Sequence, residues 1–269
     1  MSGASLRLGR LFDRASGRSF IAAIDHGITL GVPTGAEDAL GAIERVIRCE
    51  PDAVLISPGM LARGSDLFAY RAAPAPIVRA DFIVNHPFVD DLGEHYRVLC
   101  TPAHAANLGA NAFIMFLILG PGPGQMFADN IKAIATAAEE AHKLGLPLII
   151  EAVAWGSRAK AAGMGKDAEL LAFGCRIAAE LGADAVKTEY PGSQEGMATI
   201  VDGCPVPVLV LGGPKTDDPD GLITATRDAM TAGARGVVYG RNVWQADDPI
   251  AISRQIREVI HGSLVPSTA

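Results

Sequence analysis

Lys187 is the residue of this sequence that suggests chemistry most directly. It lies in an apolar run whose composition predicts a buried strand. Burying an ammonium group costs free energy unless the charge is paired or neutralised. Because side chains alternate along a strand, Ala183, Ala185 and Lys187 share one face, and the two alanines leave room beside the amine. A lysine that loses its proton readily attacks carbonyl carbons, so Lys187 is a candidate imine-forming nucleophile. The alternative is a structural ion pair with one of three carboxylates: Asp25, Glu151 or Glu189.

Polar residues at two other predicted strands are candidates for proton transfer. Asp25 ends the first strand and shares a face with Ala23, and Glu151 lies inside the fifth strand. A carboxylate inside an apolar strand is expensive to bury, which favours an acid–base role or a pairing with Lys187. His26 follows Asp25 and is a candidate to contact substrate. The structural alternatives are a capping or loop carboxylate at Asp25 and a hydrogen-bonded loop histidine at His26.

Glycine-bearing segments follow the last two predicted strands and suggest a phosphate site. The first contains Gly212, Gly213 and Lys215, and the second contains Gly240 and Arg241. Glycine lets the backbone approach an anion closely, and an arginine can add a bidentate charged contact. In α/β barrels the loops after strands seven and eight frequently bind phosphate. The alternative for each segment alone is an ordinary turn.

Short β-rich runs alternate with amphipathic runs along the whole chain, which is typical of βα units. An open doubly wound sheet would usually show G-x-G-x-x-G after its first strand, and that motif is absent here. We therefore predict one α/β domain over residues 1–269, a single (β/α)8 TIM barrel, with residues 1–18 as an N-terminal extension packing on it. The predicted strands are Ser19–Asp25, Ala53–Ser57, Ile77–Val84, Ala112–Leu119, Pro147–Trp155, Ala183–Tyr190, Val206–Leu211 and Gly236–Tyr239.

The segments between these strands predict helices. Thr34 and Glu37 form a capping-box pattern that predicts a helix from Thr34 to Arg48. The segment Phe82–Thr101 is less regular and could hold an inserted loop, a short helix, a lid or an interface. Its polar residues are not spaced like a metal site, so we expect them at the surface: His86, Asp90, Asp91 and His95. The remaining predicted helices are Met126–Leu144, Ala168–Leu181, Asp218–Ala232 and Pro249–Ile260.

Composition limits the classes of function. The chain has 269 residues, 49% of them hydrophobic, and a formal net charge of −7. That charge argues against non-specific nucleic-acid binding, which needs basic surface. The longest apolar stretch, Ala112–Leu119, is too short to span a bilayer, and residues 1–18 lack a secretory signal. The four cysteines form no C-x-x-C pair. We expect a soluble cytoplasmic protein with reduced cysteines.

Five motifs, taken together and in this order, resemble the class I aldolases of the archaeal-type fructose-bisphosphate aldolase and deoxyribose-phosphate aldolase family. The resemblance implies a (β/α)8 barrel, a Schiff-base lysine at Lys187, an acid–base aspartate at Asp25, and no metal or cofactor beyond the covalent imine. It also implies ring-like homo-oligomers, often pentamers or decamers. The implied phosphate ligands are Gly212, Gly213, Gly240 and Arg241. The motifs are Ala-Ile-Asp-His-Gly at 23–27, Ala-Val-Lys-Thr-Glu-Tyr at 185–190, Gly-Cys-Pro-Val-Pro-Val at 203–208, Leu-Gly-Gly-Pro-Lys at 211–215 and Gly-Arg-Asn-Val-Trp-Gln at 240–245.

One residue departs from the family pattern. Aldolases of this group usually carry an acid–base tyrosine near the end of strand five, and this chain has none there. Its tyrosines are Tyr70, Tyr96, Tyr190 and Tyr239.

The predicted function is cleavage or formation of a C–C bond in a phosphorylated ketose, such as fructose 1,6-bisphosphate, giving dihydroxyacetone phosphate and an aldehyde. The missing tyrosine leaves open a thiolase that acts on a phosphorylated diketone with coenzyme A, as in the autoinducer-processing branch. An aminodideoxyheptulosonate-type transaldolase and a non-catalytic phosphosugar-binding regulator are further alternatives.

Overall fold

Eight parallel strands form a closed barrel in a computed structural model that describes residues 2–83 and 96–262. Each strand pairs with the next along the chain, and β1 closes the barrel by pairing with β8. This arrangement confirms the predicted (β/α)8 class. The strands are β1 Ser19–Ala23, β2 Ala53–Ile56, β3 Ala75–Arg79, β4 Ala112–Ile118, β5 Leu148–Val153, β6 Ala185–Thr188, β7 Val208–Leu211 and β8 Gly236–Tyr239.

Helices surround the barrel, and several short ones follow the carboxyl ends of strands. The helices are α1 Ser2–Leu8, α2 Gly27–Leu30, α3 Ala39–Arg48, α4 Pro58–Arg63, α5 Pro102–Asn107, α6 Gly124–Leu144, α7 Ser157–Ala161, α8 Ala168–Glu180, α9 Gln194–Gly203, α10 Pro219–Thr231, α11 Arg241–Trp244 and α12 Pro249–His261, with a 3-10 turn at Ser65–Phe68. Within the described ranges, no helix combines the length and apolar character needed to cross a membrane.

The third predicted strand was wrong at both ends. β3 begins two residues earlier, at Ala75, and ends at Arg79. The chain then leaves the barrel, because the Ala80 carbonyl accepts hydrogen bonds from the backbone of the Leu99 region. Asp81–Phe82 instead pairs antiparallel with Arg97–Val98. The predicted surface residues of this segment lie outside the described residues: His86, Asp90, Asp91 and His95.

The capping box predicted at Thr34 was also wrong. The helix begins at Ala39, because the Asp38 side chain accepts a hydrogen bond from the Gly41 N–H at 3.0 Å and so caps the helix. The Glu37 carboxylate accepts the Gly35 N–H instead.

The barrel interior is an apolar core that ends in a charged layer. Alternate residues of the strands point inward, among them Ile77, Ile149 and Ala185. At the amino-terminal end Leu11 joins this interior cluster and is 1% exposed. Two residues further along β1, β3, β5 and β6, the inward positions are occupied by charged side chains. These are Asp25, Arg79, Glu151 and Lys187, which meet at the carboxyl end of the barrel, where α/β barrels carry their active sites.

The N-terminal segment contacts the helical layer as well as the core. The Arg7 Nη1 donates to the Gly145 carbonyl at 2.6 Å. The four cysteines are free and buried: Cys49, Cys100, Cys175 and Cys204.

Candidate active site

Lys187 lies in the barrel mouth and contacts a carboxylate. Its amine is 2.7 Å from Glu151 Oε1, and the residue is 6% exposed. The contact follows from strand register, because Glu151 and Lys187 are direct partners between β5 and β6. Of the three carboxylates proposed from the sequence, Glu151 is therefore the one that pairs with the amine. The nucleophile candidate and a proton acceptor form one contact pair.

Arg79 connects this pair to the opposite side of the mouth. Its Nη2 contacts Glu151 Oε2, and its Nε donates to Asp25 Oδ2 at 2.9 Å. Its Nη1 lies 3.5 Å from Asp81 Oδ1. The guanidinium also stacks 4.0 Å above the Phe116 ring. One buried arginine thus holds three carboxylates, which come from β5, from the residue that follows β3 by two positions, and from the residue that follows β1 by two positions.

The charges in this layer keep Glu151 and Asp25 ionised. Burial acts to raise the pKa of Glu151, but Lys187 and Arg79 outweigh it and hold the pKa below its ordinary value. Burial acts in the same direction on Asp25, where Arg79, His26 and Lys187 together lower the pKa. Both carboxylates are therefore bases at neutral pH, within reach of a proton donor.

His26 stands between Asp25 and the end of β8. Its Nδ1 is 3.8 Å from Asp25 Oδ1, too long for a hydrogen bond, and this buried nitrogen has no hydrogen-bond partner among the described residues. Burial lowers the pKa of His26, which favours the neutral ring. The ring packs edge-on against Trp244, at 5.5 Å between centroids. The Trp244 indole in turn donates to the Ala23 carbonyl at 3.0 Å, so β1 and α11 are fixed to each other.

Asp81 is the third carboxylate in contact with Arg79. It is fully buried, and its Oδ2 accepts a hydrogen bond from the Phe116 N–H at 2.7 Å. Burial raises the pKa of Asp81 to about 7, against the opposing effect of Arg79. The Tyr96 hydroxyl is buried beside this carboxyl without hydrogen-bond geometry to it, and burial raises the pKa of Tyr96.

The glycine segments after β7 and β8 lie against each other. Asn242 joins them: its Nδ2 donates to the carbonyls of Gly212 at 2.7 Å and Pro214 at 3.1 Å, while its Oδ1 accepts the Thr216 N–H at 2.8 Å. Gly240 must be a glycine, because a Cβ there would lie 2.3 Å from His26 Cε1. Gly213 adopts a φ of 66°, which glycine tolerates best.

Arg241 supplies the cationic group next to these glycines. It is the first residue of α11, and its buried Nε meets no hydrogen-bond acceptor in residues 2–83 and 96–262. An unsatisfied buried N–H is costly, so this arginine fits an anionic ligand. Lys215 is placed differently. It is exposed and lines a cavity of about 350 Å³ shared with α10 and α12, together with the carboxylates Asp217, Asp220, Asp247 and Asp248.

Neither Tyr239 nor Tyr190 replaces the tyrosine missing from strand five. The hydroxyl of Tyr239 bonds to Thr226 on α10 at 2.8 Å, and that of Tyr190 lies 3.4 Å from Asp228 on the same helix. Trp155 occupies the end of β5, where its indole donates to Glu189 at 3.1 Å and its ring lies 5.6 Å from Phe116. The proton-transfer groups nearest Lys187 are therefore carboxylates.

Sequence reasoning singled out Lys187 and Glu151, which the structure brings into contact, but missed Arg79, Asp81 and Asn242. Arg79 has the same alternation as Ile77 in an apolar run, so the argument that singled out Lys187 applies to it equally. Asp81 gave no signal, because it lies just beyond the true end of β3. Asn242 lies within the motif at 240–245. Its hydrogen bonds reach the loop after β7, which comes close only in the folded chain.

Known proteins share the sequence pattern and the fold of this chain. The family model described as DeoC/LacD family aldolase matches residues 19–246. An uncharacterized aldolase of Saccharolobus solfataricus is 30% identical over 263 residues, covering 97% of this chain and 95% of that protein. The 2-amino-3,7-dideoxy-D-threo-hept-6-ulosonate synthase of Halobacterium salinarum is 34% identical over 271 residues, covering 100% of this chain and 95% of that protein. A solved archaeal fructose-1,6-bisphosphate aldolase, with its catalytic lysine covalently bound to the carbinolamine intermediate, superposes with a TM-score of 0.80 at 26% identity, over 96% of this chain and 100% of that chain.

Proposed function

The chain belongs to the DeoC/LacD family of aldolases, and on that premise we propose that it is a class I aldolase that makes or breaks a C–C bond of a phosphorylated ketose through an imine on Lys187. The observation that carries the proposal is the contact of 2.7 Å between the Lys187 amine and the Glu151 carboxylate inside the barrel mouth. A buried amine next to an ionised base is the arrangement that imine formation needs.

The first step forms the imine. Glu151 accepts a proton from the Lys187 ammonium, and the neutral Nζ adds to the ketone carbon of the substrate. The carbonyl oxygen takes up a proton to give a carbinolamine. Loss of the hydroxyl group as water, with a proton returned by Glu151, leaves a protonated imine. The cationic imine supplies the electrophile, so this mechanism requires no metal.

The second step breaks the C–C bond. Asp25 accepts the proton of the hydroxyl group on the carbon beyond the bond that breaks. The bond electrons move toward the iminium nitrogen, which gives an enamine and releases an aldehyde. Protonation of the enamine carbon and hydrolysis of the imine then release the three-carbon ketone phosphate and regenerate Lys187. His26 lies beside Asp25 and could relay the proton through a water molecule.

The phosphate is proposed to bind at the other side of the mouth. Backbone N–H groups near Gly212, Gly213 and Gly240 and the guanidinium of Arg241 offer donors to a phosphate. Lys215 was predicted to add a charge, but its exposed position beside four carboxylates makes it the weakest of the proposed ligands.

A transaldolase of the aminodideoxyheptulosonate type is the second candidate. The Halobacterium salinarum relative, at 34% identity, is named as a synthase of such a compound. The same Lys187 imine would serve that reaction, with the enamine captured by a different aldehyde. The thiolase alternative requires coenzyme A, which provides a direct test.

Borohydride trapping tests the proposal. Incubation with dihydroxyacetone phosphate and borohydride is expected to attach the three-carbon unit at Lys187, found by peptide mass spectrometry, and Lys187→Met should abolish the adduct. A wild-type protein that gains no adduct at Lys187 with any phosphorylated ketose would rule out the mechanism. A screen of phosphorylated ketoses and acceptor aldehydes, with and without coenzyme A, separates the three activities. Light scattering tests whether the protein forms the pentamer or decamer that the family resemblance implies.

A further inference from the structure

We propose that Arg79 is a positioning residue that aims Glu151 at Lys187 while it fixes Asp25 across the barrel mouth, with Asp81 as its anchor. The inference rests on the proposed function, because it explains how the two proton-transfer carboxylates are held. It adds a second cation, outside the motifs of the sequence, to the machinery of the imine-forming lysine.

The geometry of the guanidinium carries the proposal. Each of its three nitrogens contacts a different carboxylate: Nη2 contacts Glu151, Nε contacts Asp25 at 2.9 Å, and Nη1 faces Asp81 at 3.5 Å. The planar guanidinium can fix several acceptors in defined directions, which a lysine cannot do. The Arg79 side chain is 4% exposed, and Phe116 covers one face at 4.0 Å. All three nitrogens of Arg79 therefore contact protein carboxylates, and the buried side chain is poorly placed to bind substrate.

Asp81 fixes the position of Arg79 along the barrel axis relative to Glu151. Its second oxygen accepts the Phe116 N–H at 2.7 Å, and Phe116 is the direct register partner of Glu151 between β4 and β5. Arg79 and Glu151 are thus tied to the same level of the barrel by two independent routes. The Lys187 amine completes the row, because Lys187 is the register partner of Glu151 on β6.

The chemical consequence concerns the charge of Glu151. Burial alone pushes a carboxyl toward its neutral form, and two nearby cations oppose this at Glu151. With Arg79 removed, Lys187 is the one remaining cation in contact with Glu151 within the described residues. A neutral Glu151 cannot accept the Lys187 proton. Loss of Arg79 should therefore harm imine formation most at mildly acidic pH.

The test compares Arg79→Met, Arg79→Lys and Asp81→Asn with the wild-type protein. The titration of Glu151 is followed by ¹³C NMR of labelled glutamate, with Glu151→Gln to assign the resonance. Imine formation is followed by borohydride trapping from about pH 5 to about pH 9, a range that brackets histidine and perturbed carboxyl titrations. Ser253→Ala, a buried polar change on α12, controls for general loss of packing.

In Arg79→Met the Glu151 titration is expected to move up by at least about one pH unit, and the acid limb of the trapping rate should move with it. Arg79→Lys keeps the charge, so its Glu151 titration should fall between those of the wild type and Arg79→Met. Its trapping rate should stay at least about tenfold low, because a lysine cannot hold both carboxylates. Asp81→Asn should lower the rate with a smaller shift of the acid limb. The Michaelis constant for the phosphorylated ketose should change little in all three variants.

Two results would overturn the inference. One is a Glu151 titration that is unchanged in Arg79→Met, or in Arg79→Lys if the methionine variant fails to fold. The other is a rate that falls equally at every pH, which a purely structural role would produce. If the wild-type protein forms no imine with any ketose phosphate, the proposed function fails, and the NMR titration still decides whether Arg79 controls Glu151.

Discussion

The ionised Glu151 carboxylate has two partners in the barrel, and each gives it a different task. Arg79 holds one oxygen, and Lys187 lies 2.7 Å from the other. Because a buried carboxylate keeps its charge only when it is paired, the pairing with Arg79 leaves the second oxygen ready to exchange a proton with the amine. Glu151 is therefore the carboxylate that we propose as the proton acceptor for Lys187.

Replacing Glu151 by glutamine tests this assignment. Glutamine keeps the size and one hydrogen-bond acceptor but cannot take a proton, so imine formation should fall by about 10²- to 10⁴-fold. Single-turnover borohydride trapping on Lys187 measures the loss. Glu189→Gln is the matched control, because Glu189 contacts Trp155 at 3.1 Å and forms no ion pair with Lys187. A loss of the same size in both variants would argue against a special role for Glu151.

Asp81 predicts a pH dependence of stability with a definite sign. Burial raises its pKa to about 7, from 3.8 for the ordinary group. The folded protein therefore holds this proton more tightly than the unfolded chain, so the contribution is fully present below about pH 4 and is lost as the pH rises through about 7. The largest slope is about 1.4 kcal/mol per pH unit.

Asp81→Asn removes this titration, so the variant should gain stability relative to the wild type between about pH 5 and about pH 7. Urea unfolding of both proteins across that range measures the difference in unfolding free energy. Asp202→Asn, at an exposed position on α9, controls for the change of one charge. A difference that stays constant or shrinks with rising pH would contradict the raised pKa.

The junction of β8 and α11 shows how an element places the proposed phosphate site. Gly240 ends the strand against β1, close to the His26 ring and the Ala23 carbonyl. Asn242, two residues on, clamps the loop after β7 through three hydrogen bonds. The backbone of both loops and the Arg241 side chain are therefore positioned by the packing of two adjacent strand ends on the first strand.

Gly240→Ala tests this packing. The new Cβ would lie 2.3 Å from His26 Cε1 and 3.0 Å from the Ala23 carbonyl oxygen, so the ring and the backbone must both shift. We expect a loss of about 1–3 kcal/mol in unfolding free energy and a higher Michaelis constant for the phosphorylated ketose. Gly59→Ala is the control, because a Cβ on this α4 glycine meets nothing within 4 Å. If Gly240→Ala binds phosphorylated and unphosphorylated ketoses with unchanged preference, the phosphate site lies elsewhere.

The elements themselves were largely predictable from the sequence, for a physical reason. Strands of a parallel barrel are buried on both faces, so each reads as an apolar run that ends where helix periodicity begins. The exception is the end of β3, where the charged residues Arg79 and Asp81 are buried only through contacts with Asp25, Glu151 and Phe116. The start of α3 was missed because the residue that caps the helix is Asp38, which lies next to it, and not Thr34.

The same limit applies to the site. Alternation along one strand predicted which face Lys187 occupies, because that is a local property. The contact with Glu151 depends on the register of β5 against β6, which the sequence left open among three carboxylates. Arg79 was missed because its proposed role depends on its contacts with Asp25 and Glu151. These residues are 54 and 72 positions away in the chain.

At the scale of the whole molecule, one end of the barrel provides apolar packing and the other end carries the candidate active site. The amino-terminal end is closed by apolar packing, with Leu11 in the same cluster as the first residues of β2, β3 and β4: Ala53, Ala75 and Ala112. The carboxyl end carries the charged layer. Barrels of this class tolerate charge at one end because the apolar layers below it supply stability that the charged layer does not need to provide.

Leu11→Ala tests the separation of stability from activity. Leu11 is 1% exposed, and truncating a buried leucine costs about 2–5 kcal/mol, so the midpoint of urea unfolding should fall clearly. The rate of imine trapping on Lys187, measured well below the unfolding transition, should stay within about twofold of the wild type, since a twofold change corresponds to less than about 0.5 kcal/mol. Leu6→Ala is the matched control, because Leu6 belongs to the same N-terminal segment but is 73% exposed. If Leu11→Ala slowed trapping in proportion to its loss of stability, the apolar interior would have to transmit strain to the charged layer, and the two ends could not be treated as independent.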